Sequence, residues 1–154
     1  MTETTYTEAD LDAATAAYIE TMLWGSCPMS EDGDCDRSCA DLNYTSEDDC
    51  TDALVASCRA DVEDFLNYID ADGLLAICEA EGKSYEGLGQ NFWLTRNGHG
   101  AGFWDGAYQV PVEWEDERTG KTVTGDLGAE LTEAAKSFGT GHCDLYLVGG
   151  LVTE

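Results

Sequence analysis

The segment NFWLTRNGHGAGFWDG, residues 91–106, concentrates side chains that can carry out acid–base chemistry. It contains His99, one of the two histidines of the chain, together with Arg96 and Asp105. A carboxylate that orients an imidazole allows the imidazole to act as a general base. Arg96, His99 and Asp105 are therefore the candidate catalytic residues of a small enzyme.

The same segment also has a structural interpretation, which the sequence favours because no nucleophile stands beside the histidine. Glycines at positions 98, 100 and 102 suit a tight turn, and they equally suit a close approach to another surface. In a hairpin, Trp93 and Trp104 would pack in the core and Arg96 would pair with a carboxylate. Contact with a ligand or a partner is the third interpretation.

Four of the seven cysteines follow the pattern C-x7-C-x3-C-x10-C. These residues, Cys27, Cys35, Cys39 and Cys50, could together hold a structural zinc ion. The pattern lacks the C-x2-C pairs typical of zinc sites, so we expect no cofactor, with a structural zinc as the alternative. The odd number of cysteines and the lack of an export signal favour reduced thiols.

Charge is the most unusual property of the chain. Asp and Glu number 32 against seven Lys and Arg, a net charge of −25, which disfavours direct binding to nucleic acid. At one charge per ~1.7 Å of duplex, this charge equals that of about 12 base pairs. Imitation of DNA is one explanation of the acidity, and adaptation to a high-salt host is another.

The acidic residues cluster in the N-terminal half, where one helix is predicted to carry them on a single face. We expect this face to bind a protein with a basic surface. The candidate binding residues are Asp48, Asp52, Asp61, Glu63 and Asp64.

The elements that must position these residues are indicated by capping signals and by hydrophobic periodicity. The predicted helical segments are 8–24, 47–70, a short turn at 73–81, and 126–138. A Cys- and Asp-rich loop at about 25–45 separates the first two helices.

The remaining segments have the alternation and turn residues of strands. FWLT and GFWDGAY form the predicted hairpin around Asn97 and Gly98, QVPVEWED and KTVTG form a second hairpin, and DLYLVGGLV supplies one or two strands. The predicted fold is α+β, with two N-terminal helices and a C-terminal helix packed on a small antiparallel sheet. We expect a single domain over 1–154.

Three segments resemble small uncharacterised bacteriophage proteins: FWLTRNGHGAGFWD (92–105), LTEAAKSFG (131–139) and DLYLVGG (144–150). The Cys-bearing loop and the hairpin at about 107–124 look like additions to that pattern. The resemblance implies a phage-encoded protein that acts in the cytoplasm of an infected bacterium, and it brings no known activity.

These observations lead to one main hypothesis about function. We expect a small acidic phage protein, without a membrane span or signal peptide, that inhibits a host DNA-binding or defence protein. A small enzyme that uses His99 with Arg96 and Asp105 is the alternative. The oligomeric state is left open by the sequence.

Overall fold

A computed structural model describes residues 5–26, 44–98, 101–104, 108–116 and 118–154. The elements in chain order are α1 (Glu8–Gly25), a 3₁₀ turn (Glu47–Asp49), α2 (Asp52–Ala71), α3 (Leu74–Ala80), α4 (Tyr85–Arg96), β1 (Pro111–Asp116), β2 (Lys121–Asp126), α5 (Leu127–Lys136), β3 (Tyr146–Val148) and β4 (Leu151–Thr153). The α+β class is confirmed.

Helix α1 begins where its capping signal predicts. The Thr7 hydroxyl accepts a hydrogen bond from the Asp10 N–H at 3.2 Å, and the Asp10 carboxylate accepts one from the Thr7 N–H at 2.9 Å. This reciprocal pair satisfies N–H groups that have no partner inside the helix. The buried face repeats at helical spacing and includes Leu11, Ala14, Tyr18, Ile19 and Met22.

Helix α2 begins five residues later than the 47–70 prediction. After the 3₁₀ turn the chain is extended at Cys50, which forms a parallel bridge with Val152. The Thr51 N–H donates to the Val152 carbonyl at 2.9 Å, and the Thr51 hydroxyl caps α2 by accepting from the Leu54 N–H at 3.2 Å. Pairing with the C-terminal strand therefore interrupts the predicted helix.

The predicted hairpin at 91–106 is wrong at its first strand, because FWLT lies in helix α4. The Ser84 hydroxyl caps this helix by accepting from the Gly87 N–H at 3.0 Å. Residues 92–96 are all buried, since α1, α2 and α5 surround the helix. Only this last part of α4 is buried on every side, and a buried helical turn gives the same run of consecutive apolar residues as a buried strand. Residues 101–104 are not a strand either.

The strands form two separate antiparallel hairpins in the described ranges, β1 with β2 and β3 with β4. The predicted arrangement, in which the helices cover one sheet, is therefore wrong. The helices pack mainly on each other, and α1 with α4 forms the most extensive contact. The hairpin at β1 and β2 and the last two strands lie where the sequence predicts strands.

Aromatic rings fill the space between the helices. Phe65 of α2 stacks on Phe92 of α4 with ring centroids 4.3 Å apart, and Phe138 meets Phe92 edge-on at 5.5 Å. Trp93 is 1 % exposed, as expected for a core residue, whereas Trp104 is 40 % exposed. The expectation that both tryptophans pack in the core is therefore confirmed for Trp93 and wrong for Trp104.

Candidate functional site

Arg96, a candidate catalytic residue, lies buried at the end of α4. Its Nη1 donates to the Asp61 carboxylate at 2.7 Å and to the Tyr18 hydroxyl at 3.1 Å. Its Nε donates to the carbonyl of Gly139 at 2.8 Å, and its Nη2 to that of Phe138 at 3.2 Å. Arg96 therefore joins α1, α2 and α4 to the loop after α5. The predicted pairing with a carboxylate is present, and its partner is Asp61.

The loop after α5 is held close against this guanidinium. A Cβ added at Gly141 would lie 2.7 Å from Arg96 Nη2, so a larger residue here would displace the guanidinium. Asn97 binds the same glycine twice: its Nδ2 donates to the carbonyl at 2.9 Å, and its Oδ1 accepts from the N–H at 3.0 Å. These two hydrogen bonds fix the loop beside α4. The next residue, His142, has a φ of 57°, in the left-handed region.

His142 is 3 % exposed and bonds through both ring nitrogens. Its Nδ1 lies 2.6 Å from the Tyr18 hydroxyl, and its Nε2 lies 2.9 Å from the Ser57 hydroxyl. The Asp61 carboxylate lies 3.8 Å from Nδ1. A serine, a histidine and an aspartate thus come together, although they lie far apart in the sequence. No local pattern marks His142.

The direction of these hydrogen bonds decides what the group can do chemically. The Tyr18 oxygen accepts from Arg96, which can only donate, and in one tautomer of His142 the Tyr18 proton is donated to Nδ1. In that tautomer Nε2 carries the ring proton and donates to Ser57. In that tautomer the imidazole cannot take the serine proton, whereas in the other tautomer Nε2 accepts a hydrogen bond from the Ser57 hydroxyl.

Burial favours the neutral form of both rings in this group. It raises the pKa of Tyr18 and lowers the pKa of His142. A neutral Tyr18 keeps the proton that the hydrogen bond to His142 needs. The cluster of Tyr18, Ser57, Asp61, Arg96 and His142 thus connects α1, α2 and α4 to the loop after α5 by hydrogen bonds, and Ser57 lies at its exposed edge.

The rest of the predicted catalytic trio, His99 and Asp105, lies outside the described residues. The guanidinium of Arg96 is engaged with four acceptors, and its side chain is 4 % exposed. The trio remains a prediction.

The candidate binding residues on and before α2 divide into two groups. Asp61 is directed inward as the counter-ion of Arg96. The other four are exposed and form what we name the outer acidic surface: Asp48, Asp52, Glu63 and Asp64. Within the described ranges, no lysine or arginine forms a salt bridge with these four carboxylates.

The arginines in the described part of the chain are all paired with carboxylates elsewhere. Arg59 of α2 forms salt bridges with Glu8 and Asp12 of α1. Arg118 lies 3.2 Å from Asp72. These salt bridges use the arginines, and the Glu63 carboxylate also contributes to raising the pKa of Arg59. The outer acidic surface keeps a net negative charge.

Only one of the four candidate zinc ligands, Cys50, lies in the described ranges, and it is 5 % exposed. Cys27, Cys35 and Cys39 lie outside those ranges, so the zinc site remains a prediction. Cys78 is a buried thiol in the helical core, where burial raises its pKa to about 12. Such a thiol acts as a small apolar side chain.

No protein-family model, curated protein or solved structure matches this chain. Across the residues that the structure describes, no helix has the length and apolar character required to cross a lipid bilayer.

Proposed function

We propose that this protein binds a partner with a basic surface and does so through the outer acidic surface. One observation carries the proposal: Asp48, Asp52, Glu63 and Asp64 are all exposed, while the arginines of the described ranges form their salt bridges with other carboxylates. The folded protein therefore presents a net negative charge here, and this charge attracts cations of a partner. Coulombic attraction of this kind mainly accelerates association and selects partners of opposite charge.

The partner that we propose is a DNA-binding or defence protein of an infected bacterium. The net charge of −25 supports imitation of DNA, because a groove built for phosphates attracts carboxylates for the same reason. Asp52 to Asp64 span about 18 Å along α2, at 1.5 Å per residue, or about five base pairs of duplex. The resemblance of residues 92–105 to phage proteins is the support for the infected cell as the setting.

The test begins with affinity capture from a bacterial lysate and continues with the purified partner. The surface variant combines Asp48→Asn, Asp52→Asn, Glu63→Gln and Asp64→Asn, and it leaves Asp61 in place for Arg96. We expect affinity to fall about tenfold or more, since each peripheral charge contributes roughly 0.3–0.5 kcal/mol. Association should also slow as salt is added.

The matched control neutralises four exposed acids elsewhere on the molecule: Glu79, Glu81, Glu113 and Glu115, each changed to Gln. It removes the same charge and should change affinity by less than about threefold, or about 0.6 kcal/mol. Duplex DNA should compete with this protein for the partner. The proposal fails if no basic protein is retained, or if the partner binds DNA and this protein together without loss of affinity for either.

A further inference from the structure

A groove of about 680 Å³ runs along the surface between α1 and α4, on a different part of the molecule from the outer acidic surface. Its floor is apolar and mostly small, and it is formed by Ala13, Ala16, Ala17, Leu94 and Ala101. Trp24, near the end of α1, stands at the groove with 61 % of its surface exposed.

The two helices lie unusually close together at this groove. A Cβ added at Gly89 of α4 would lie 2.0 Å from the backbone carbonyl oxygen of Ala14 in α1, so the contact is backbone to backbone. Alanines on the adjacent outward part of α1 add little bulk. The result is a trough whose floor consists mainly of small apolar residues.

The groove is also lined by negatively charged side chains. Glu20 lines it from α1 and Glu86 from α4, and both residues are exposed. Among the described residues that line the groove, none is a lysine or an arginine. An occupant with apolar residues on one face and cations along both flanks would therefore match the floor and both walls.

We propose that the α1–α4 groove binds a basic amphipathic helix of a partner protein. Helices bind in grooves by placing their apolar face on the floor, and small floor residues allow the two backbones to approach closely. Lysines or arginines beside the apolar face would reach Glu20 and Glu86. This inference rests on the proposed function, since it names the element by which a basic partner is held.

The probe is a fluorescent Leu/Lys peptide of about 18 residues, or five helical turns, with its leucines on one face. A second peptide of the same composition has its leucines scattered around the helix. We expect the amphipathic peptide to bind the full chain at least about tenfold more tightly than the scattered one, which corresponds to about 1.4 kcal/mol. Fluorescence anisotropy measures both affinities.

Two charge-reversal variants then locate the site. Glu20→Lys with Glu86→Lys should weaken binding of the amphipathic peptide about tenfold or more, whereas Asp52→Lys with Asp64→Lys should weaken it less than about threefold. Both variants change the net charge equally. An uncharged variant, Ala13→Gln, fills the floor and should also weaken binding. Circular dichroism and thermal melting establish that each variant folds.

Several outcomes would overturn the groove proposal. They are equal weakening by the two charge reversals, equal binding of the two peptides, no binding of the amphipathic peptide, or full binding by the folded Ala13→Gln variant. None of these results decides the proposed function, which depends on the captured partner and on the neutralised outer acidic surface. Failure of one proposal is thereby distinguishable from failure of the other.

Discussion

Trp93 and Trp104 are both aromatic residues of one short segment, and their environments differ strongly. Trp93 is buried, and its Nε1 donates to the His142 carbonyl at 3.0 Å, whereas Trp104 is 40 % exposed. Trp93→Ala should lower the free energy of unfolding by about 3–5 kcal/mol, and Trp104→Ala by less than about 1.5 kcal/mol. Urea unfolding measures both. Similar losses at the two positions would contradict the inward placement of Trp93.

Asp61 and Asp64 are the same residue type on the same helix and serve different purposes. Asp61→Asn leaves the buried Arg96 guanidinium without its counter-ion at 2.7 Å. We expect the free energy of unfolding to fall by about 3 kcal/mol. This value is at the low end for a broken buried ion pair, because the Asp61 side chain is 33 % exposed. Asp64→Asn should change stability by less than about 0.5 kcal/mol. Chemical denaturation of the two variants checks the contrast.

His142 makes the stability of the fold depend on pH. Burial lowers its pKa in the folded chain, with help from Arg96, and this outweighs the opposing effects of Glu154 and Asp61. Because the unfolded chain takes up the proton first, the neutral histidine contributes fully above about pH 6.5 and contributes less as the pH falls below it.

The measurement compares wild type with His142→Asn, since Asn tolerates the left-handed backbone at this position. The stability advantage of wild type should shrink between about pH 7.5 and pH 5.5, above the range in which ordinary carboxylates titrate. An advantage that stays constant or grows over this interval would contradict a neutral, buried imidazole.

At the scale of the elements, the crossing of α1 and α4 depends on one glycine. Gly89→Ala would place a methyl group 2.0 Å from the Ala14 carbonyl oxygen, so the helices must separate. We expect the free energy of unfolding to fall by about 3 kcal/mol or more, because the backbone cannot move aside as a side chain can. Thermal unfolding followed by circular dichroism gives the effect.

Gly87→Ala is the control for that substitution on the same helix. Its added Cβ would meet only the side-chain oxygens of Tyr108 and Ser84, at 3.0 and 3.1 Å. The gain of about 1 kcal/mol in helix propensity should offset these contacts, so stability should change little. A loss as large as that of Gly89→Ala would indicate that α4 tolerates no alanine at either position.

At the scale of the whole molecule, repulsion among the carboxylates opposes folding. The net charge is −25, and raising NaCl from about 0.05 to 0.5 M shortens the screening length from about 14 to 4 Å. The melting temperature should rise by about 3 °C or more, the equivalent of about 1 kcal/mol. The four-residue surface variant should show a smaller rise in melting temperature. If the melting temperature of the wild type does not change with salt, repulsion among the carboxylates does not oppose folding.

Some of this architecture was readable from local sequence. The capping box at Thr7, the apolar stripe of α2, the helix near 127–136 and the hairpin of β1 and β2 all appear within a few residues of the predicted positions. Capping and hydrophobic periodicity act between residues that are close in the sequence, and the residues themselves therefore carry the signal. The excess of acidic residues and the α+β class are visible in the same way.

Contacts between distant residues decided the rest. Val152 pairs with the chain at Cys50 and delays the start of α2, and the surrounding helices make 91–96 helical. Arg96 meets Asp61 across 35 positions, and His142 meets Tyr18 across 124. Such pairings depend on how the helices pack, which no local spacing encodes. Packing therefore determined that Asp61 points inward to Arg96, whereas the exposure of Glu63 and Asp64 follows the polar face predicted from the sequence.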